Sequence, residues 1–246
     1  PIPNIVPGRR GAGEAGTTVF SVHKGSLDFW ENHLTTNRVS GVSRGEAFGQ
    51  RRLYFDGIDG DGFALVETAD DAREPWKGAG IPAEHAIRGF HSAMMVLGDT
   101  GGTRDLLALM DFAEAEREGD VQRMVRRAGN GADTIDLVTA PNAPPARQGA
   151  GSVHHIAFAV ADAPAQLAVR EALVREGFAI TPVIDRDYFL SVYFRAPGGV
   201  LFEIATNDPG FARDEDPDHL GEALKLPEQH AHLRAQLEER LPPIGG

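Results

Sequence analysis

The sequence contains no cysteine, which excludes disulfides and thiolate metal sites. Any metal held by this chain must therefore bind nitrogen or oxygen atoms of His, Asp or Glu side chains. Such ligands suit iron, manganese, nickel or zinc. The absence of disulfides fits a reducing compartment, and we predict a cytoplasmic protein.

Excess positive charge and long apolar runs are also missing. The formal net charge of −12 argues against nucleic acid as a partner. No apolar stretch is long enough to span a membrane, so a membrane partner is not expected either. With 246 residues, 41% of them apolar and 24% charged, the composition is typical of a soluble globular protein with one large or two small cores.

Three segments of the chain share one predicted plan, in which a strand and a helix are followed by three more strands. The first segment extends from about Thr17 to Ala69, and the first strand of the second is predicted at Phe90–Val96. In the third segment we predict strands at Val153–Val160 and Phe178–Ile184, among others. This repetition predicts an α+β fold.

The third segment, from Ser152 to Asn207, carries the main candidate site. Side chains alternate between the two faces of a strand. In the first strand this alternation separates His155 from the apolar face, and in the last strand it separates Glu203 from Phe202 and Ile204. Two His and one carboxylate, with open positions left on the metal, form the arrangement of ferrous oxygenases. We therefore predict that His155 and Glu203 are two of three protein ligands of Fe(II).

The same residues also fit an interpretation without a metal. One His and one Glu far apart in sequence are often unrelated, and a short motif match has a high false-positive rate. The last strands of the first two segments carry Glu67 and Asp136 at roughly equivalent positions, but Ser92 replaces the histidine in the second segment. We interpret Glu67 and Asp136 as solvated or hydrogen-bonded residues.

Several motifs resemble a known family of enzymes. The strand–helix–three-strand repeats, with a first-strand His and a last-strand Glu, resemble the vicinal oxygen chelate superfamily, which includes glyoxalase I and extradiol dioxygenases. Narrower motifs resemble its hydroquinone-type ring-cleaving dioxygenases: Gly8–Gly13, Gly25–Trp30, Val153–Phe158, Asp185–Arg195, Pro197–Thr206, Asp216-Pro217 and Leu220–Leu224. The resemblance covers nearly the whole chain, and the last module is its specific part.

The resemblance implies repeated βαβββ modules that form curved mixed sheets, the vicinal oxygen chelate fold. This family usually has four modules, of which three are present here. The implied organisation is 1–16 as the end of a missing first module, 17–82 and 83–146 as the second and third modules with their linkers, 147–210 as the fourth module with the metal site, and 211–246 as a C-terminal tail with a helix. The third iron ligand is expected in the first module, so the chain is expected to be a fragment.

The resemblance also implies chemistry. It implies opening of a hydroquinone or catechol ring by dioxygen at Fe(II), with Mn(II), Ni(II) or Zn(II) as alternative metals, and a homodimer. We assign Tyr193 as a hydrogen-bond donor or proton shuttle and Arg186 as a stabiliser of phenolate or peroxide charge. A rim tyrosine and a solvated surface arginine are the alternatives. His154 is predicted to point away from His155 and to orient a neighbouring group.

Two other functions remain open from the sequence. A glyoxalase-like lyase or isomerase would use the same fold with another divalent metal. A metal-free binding protein would explain why no third ligand can be named. Oxygen uptake with hydroquinones and metal content would distinguish among the three.

Overall fold

The computed structural model describes residues 5–126 and 131–242. The parts of the predicted modules at 1–4, 127–130 and 243–246 lie outside these described residues. The chain divides into two compact units, which are described separately. Unit 1 comprises Pro1–Ile156 and Arg195–Leu201, and unit 2 comprises Ala157–Phe194 and Phe202–Gly246.

Unit 1 contains two copies of the predicted strand–helix–three-strand plan. The first copy consists of β1 (Glu14–His23), α1 (Leu27–Thr36), β2 (Ser43–Ala47), β3 (Gln50–Asp56) and β4 (Gly62–Thr68). The second consists of β5 (Gly89–Leu97), α2 (Gly101–Leu109), β6 (Phe112–Glu118), β7 (Val121–Arg126) and β8 (Thr134–Thr139). The helix and strand predictions in these two segments are therefore confirmed to within a few residues.

One eight-stranded sheet joins the two copies, in the order β2-β3-β4-β1-β5-β8-β7-β6. In each copy the first strand lies parallel to the last strand, since β1 pairs with β4 and β5 pairs with β8. The copies meet where β1 and β5 pair antiparallel. This topology brings the first and last strands of both copies to the middle of the sheet, where polar side chains on one face can meet.

The helix α1 packs on this sheet through the face that its periodicity predicts. Leu27, Trp30 and Leu34 are buried and form a core cluster with Leu53 of β3 and Leu65 of β4. The apolar stripe at i, i+3 and i+7 thus covers one face of the sheet. Val19, Ala64 and Val66 form a second buried apolar cluster on the opposite face.

Unit 2 contains most of the third copy. Its elements are β9 (Ile156–Val160), α3 (Ala163–Arg175), β10 (Ile184–Asp185), β11 (Phe189–Arg195) and β12 (Leu201–Pro209). The sheet order is β10-β11-β12-β9, so the first and last strands are again neighbours. Phe202 forms the core with Phe158 and Phe194, at ring centroid distances of 4.8 and 5.8 Å.

Two strand predictions in the third segment need correction. Strand β9 begins at Ile156 rather than at Val153, so His154 and His155 precede the strand. The strand predicted at Phe178–Ile184 is reduced to Ile184–Asp185 and one isolated bridge between Ile180 and Phe194. Pro182 accounts for the second difference because proline cannot donate a hydrogen bond to a neighbouring strand.

The C-terminal tail contains the predicted helix in a shorter form. A 3-10 turn at Glu228–Leu233 leads into α4 (Arg234–Arg240). In residues 5–126 and 131–242, no helix combines the length and the apolar character needed to cross a membrane. The module boundaries predicted from the resemblance stay predictions.

Candidate metal centre

A buried carboxylate is the central feature of unit 2. Glu203 of β12 is only 3% exposed. The hydroxyls of Ser191 and Tyr193, both on β11, donate hydrogen bonds to its Oε1 atom, with a distance of 2.8 Å from Tyr193 Oη. Positions 191 and 193 share one face of β11, so the strand period alone brings both hydroxyls to the same oxygen. The bonds fix the orientation of the carboxylate and offset the free energy cost of burying it.

Arg186 extends this cluster toward the surface. Its Nη2 atom donates to Tyr193 Oη at 3.4 Å, and its guanidinium lies 5.5 Å from the centre of the tyrosine ring. The backbone N–H of Tyr193 donates to Thr181 Oγ1 at 2.9 Å, which fixes the start of the side chain. Hydrogen bonds therefore connect the Arg186 guanidinium to the Tyr193 phenol, and the phenol to the Glu203 carboxylate. The structure thus brings these three predicted site residues together.

His154 and His155 contact each other in unit 1. Their Nδ1 atoms are 2.8 Å apart, and the rings are nearly perpendicular at 87°. Gln148 Nε2 donates to the carbonyl oxygen of His154 at 2.9 Å and holds this stretch. The prediction that His154 points away from His155 is wrong, because both residues precede β9 and strand alternation does not apply to them. One Nδ1 must carry a proton and the other must accept it.

The two predicted ligands belong to different units. His155 directly precedes β9 and lies in unit 1, whereas Glu203 lies in unit 2. Within residues 5–126 and 131–242, no group of three or more His, Cys, Asp or Glu side chains is arranged to hold a metal. The assignment of His155 and Glu203 as ligands therefore stays a prediction.

Ser191 is a site residue that the sequence reasoning did not identify. It is completely buried, and it lies on the same strand face as Tyr193. A small hydroxyl residue at a core-facing strand position was the available signal, because a buried hydroxyl needs a partner. Its partner is the carboxylate that the metal interpretation needs.

Unit 1 holds a second buried carboxylate in a different environment. Asp136 of β8 is fully buried and accepts hydrogen bonds from Arg123 at 2.8 and 2.9 Å and from Arg52 at 3.2 Å. We call Arg52, Arg123 and Asp136 the arginine triad. Two guanidinium groups therefore donate hydrogen bonds to the carboxylate, in agreement with the interpretation of Asp136 as a hydrogen-bonded residue.

Glu67 of β4 is also engaged by protein groups. Its Oε1 atom accepts from the backbone N–H groups of Gly25 and Leu27, at 2.8 and 3.2 Å, at the start of α1. Arg51 lies 3.4 Å from its other oxygen. The hydrogen-bonded interpretation of Glu67 is therefore also confirmed.

The strand–helix–three-strand repeats and the buried glutamate on the last strand can be compared with known protein families. The chain matches the family model "Glyoxalase/Bleomycin resistance protein/Dioxygenase superfamily" over residues 23–204. The chain belongs to this superfamily, and its fold is the glyoxalase fold with curved mixed sheets.

Individual relatives narrow the comparison. A Bacillus subtilis (strain 168) protein named "Putative ring-cleaving dioxygenase MhqO" is 38% identical over 235 residues, which cover 95% of this chain and 74% of that protein. "Chlorohydroquinone/hydroquinone 1,2-dioxygenase" of Sphingobium indicum is 35% identical over 238 residues, covering 94% and 73% of the two chains. The predicted superfamily and its ring-cleaving branch are confirmed, and so is the prediction of an enzyme.

Solved structures agree with this result. The crystal structure of a "putative dioxygenase" from Bacillus subtilis subsp. subtilis str. 168 has a TM-score of 0.91 and 36% identity, covering 98% of this chain and 77% of that one. Glyoxalase I from Zea mays has a TM-score of 0.58 and 14% identity, covering 82% and 69%. The second similarity concerns the fold alone.

Proposed function

We propose that this chain is a ring-cleaving dioxygenase that uses Fe(II) and dioxygen to open the ring of a hydroquinone or a related aromatic diol. The observation that supports it most directly is the carboxylate of Glu203, buried at the predicted ligand position and held by two hydroxyls. The names of the relatives support the same class of reaction. Membership of the superfamily supports a divalent metal, and Fe(II) is our specific choice among Mn(II), Ni(II) and Zn(II).

The residues present fit part of an iron site. Glu203 supplies an oxygen ligand and His155 a nitrogen ligand, which are the donor types of a two-His, one-carboxylate site. A third ligand is not assigned within the described residues. Bound iron would supply the ability to bind both a phenolate and dioxygen.

The protein groups around the carboxylate have separate tasks in this proposal. Ser191 fixes the orientation of Glu203, because its hydroxyl is committed to Oε1. Tyr193 is assigned as a proton shuttle, because its hydroxyl donates to Glu203 Oε1 while its oxygen accepts from Arg186. Arg186 is exposed and its positive charge stabilises a phenolate. His154 orients the ring of His155 through their contact.

A metal-free binding protein of this fold is one alternative to the proposal. A glyoxalase-like lyase or isomerase is the remaining alternative. A cytoplasmic homodimer stays our prediction for the assembled protein.

Oxygen consumption tests the proposed reaction. The protein, loaded with Fe(II) without air, is expected to consume one dioxygen for each hydroquinone. An oxygen electrode measures this consumption. The product should contain both atoms of the dioxygen, which mass spectrometry with labelled dioxygen measures. Turnover without oxygen uptake would identify a lyase or isomerase, and hydroquinone binding without any retained metal would identify a binding protein.

Tyr193→Phe and Ser191→Ala are expected to affect different quantities. Ser191→Ala removes a bond that orients the carboxylate, so iron affinity should fall about 10- to 100-fold. Tyr193→Phe keeps the ring and leaves the fully buried Ser191 hydroxyl on Oε1, so we expect iron content to be retained while kcat falls by about 100-fold, the size of a lost proton-transfer group. Iron titration and steady-state kinetics check both results, and a normal kcat in Tyr193→Phe would remove this residue from the mechanism.

A further inference from the structure

A buried glutamine connects the two strands that carry the buried carboxylate and its hydroxyl partners. Gln166 lies on α3 in unit 2 and is completely buried. Its Nε2 atom donates one hydrogen bond to the carbonyl oxygen of Leu190 on β11 and one to that of Ile204 on β12, both at 2.8 Å. An amide nitrogen has two hydrogens to donate, so both are used to bridge β11 and β12.

The two bridged carbonyl groups adjoin residues of the site. Leu190 directly precedes Ser191, and Ile204 directly follows Glu203. Because a peptide group is planar, holding the carbonyl of Leu190 also holds the N–H of Ser191 and restricts the orientation of that residue. The bridge therefore affects the hydrogen bond from the Ser191 hydroxyl to Glu203 Oε1.

Thr206 of β12 supports the same part of the sheet. Its hydroxyl oxygen accepts a hydrogen bond from the backbone N–H of Leu190 at 3.0 Å, and the hydroxyl donates to the carbonyl oxygen of Asp208 at 2.7 Å. Side chains thus contribute to the connection between β11 and β12 beside the site. Of these side chains, Gln166 is the one that reaches the strands from the helix.

The start of α3 holds Gln166 in position. The Oδ1 atom of Asp162, the residue before the helix, accepts a hydrogen bond from the backbone N–H of Ala165 at 2.9 Å. The carbonyl oxygen of Asp162 accepts from the N–H of Gln166 at 3.0 Å. A capped first turn is more stable than an uncapped one, so the amide approaches the sheet from a well-defined backbone position.

Packing alone does not account for an amide at this position. The Oε1 atom of Gln166 is buried and has no hydrogen-bond partner among the described residues. A buried acceptor without a partner destabilises the folded state, and an apolar side chain of the same size would have no such atom. The two bonds that Nε2 donates are therefore the feature that distinguishes this glutamine from an ordinary core residue.

We propose that Gln166 is a positioning residue for the candidate metal centre. By bridging the carbonyl groups of Leu190 and Ile204, it holds the hydroxyls of β11 and the carboxylate of Glu203 at the separation at which they bond. It acts through these groups and is assigned no contact with metal or substrate. Its effect on iron rests on the proposed function, whereas its effect on the carboxylate does not.

Gln166→Met tests this role, because methionine is similarly long and unbranched but donates no hydrogen bond. The Tyr193 hydroxyl donates to Glu203 Oε1 at 2.8 Å, so the ring signal of Tyr193 reports the position of the carboxylate. In the metal-free protein with ¹³C-labelled tyrosine, we expect this signal to shift in Gln166→Met. Tyr193→Phe identifies the signal among those of the three tyrosines. With Fe(II), iron affinity should fall about tenfold, as for other groups that orient a ligand.

Gln122→Met is the matched control. Gln122 of β7 is also buried, and its Nε2 atom donates to Glu114 Oε2 in unit 1. The same substitution therefore removes an equally buried amide at a different place. It should leave the Tyr193 signal and the iron affinity unchanged, even if it lowers the midpoint of unfolding.

An unshifted Tyr193 signal in folded Gln166→Met would overturn the proposal, whatever the iron affinity, and so would an equal shift in Gln122→Met. A shift in Gln166→Met alone, in a protein that retains no iron even when unmutated, would support the positioning role and contradict the proposed iron chemistry instead. Gln166→Asn is the second variant, to be used if Gln166→Met does not fold. Its amide is one methylene too short to bridge both carbonyl groups, so the same shift is expected.

Discussion

On the proposed function, Glu203→Ala is expected to abolish iron retention and ring cleavage. The substitution removes the only ligand candidate that is both buried and held in place, since Ser191 and Tyr193 donate to its Oε1 atom. The loss of iron affinity should exceed the roughly 10- to 100-fold effect of removing a group that only orients a ligand. Iron content after gel filtration and oxygen uptake with hydroquinone measure the two effects.

A matched control distinguishes loss of a ligand from loss of structure. Glu222 is exposed and pairs only with His219 at 2.9 Å, so Glu222→Ala should retain iron and activity. His155→Ala should reproduce the loss seen in Glu203→Ala. Unchanged iron content in either ligand variant, with an unfolding transition like that of the unmutated protein, would refute the assignment.

Local sequence patterns predicted most of the elements because each pattern involves neighbouring residues. The i, i+3 and i+7 spacing of Leu27, Trp30 and Leu34 is that of one buried helix face, and alternation within β11 puts Ser191 and Tyr193 on the same face. Alternation failed for His154 because it applies only inside a strand, and β9 begins two residues later. The sequence offers no local signal for where such a strand begins.

Contacts between distant residues were less accessible to sequence reasoning. Asp136 was identified as a position equivalent to Glu203, but its partner Arg52 lies 84 residues away in the other copy of the repeat. Arg52 reaches Asp136 only because β1 and β5 join the two copies in one sheet. A buried ion pair of this kind forms only in the tertiary fold. In the sequence, Arg52 and Asp136 cannot be distinguished from exposed polar residues.

The same ion pairs distinguish the environments of the two buried last-strand carboxylates. In unit 2 the last-strand carboxylate is surrounded by hydroxyls, which carry no charge to compete with a metal ion. In unit 1 the corresponding carboxylate, Asp136, is neutralised by Arg52 and Arg123. The fixed guanidinium charge therefore opposes the binding of a cation at Asp136.

Asp136→Asn is expected to lower the free energy of unfolding by about 3–5 kcal/mol, because it leaves two buried guanidiniums without their carboxylate. Arg52 is the more affected partner, since its side chain is fully buried and its Nε already lacks a hydrogen bond among the described residues. Urea unfolding followed by circular dichroism measures the change. The exposed pair of Arg104 and Asp105 provides the control, and Asp105→Asn should change stability by less than about 1 kcal/mol.

The triple variant Arg52→Met, Arg123→Met and Asp136→Leu should recover most of the loss, because it removes the buried charges together. A triple variant as unstable as Asp136→Asn would indicate that side-chain shape, rather than uncompensated charge, determines the stability of this region.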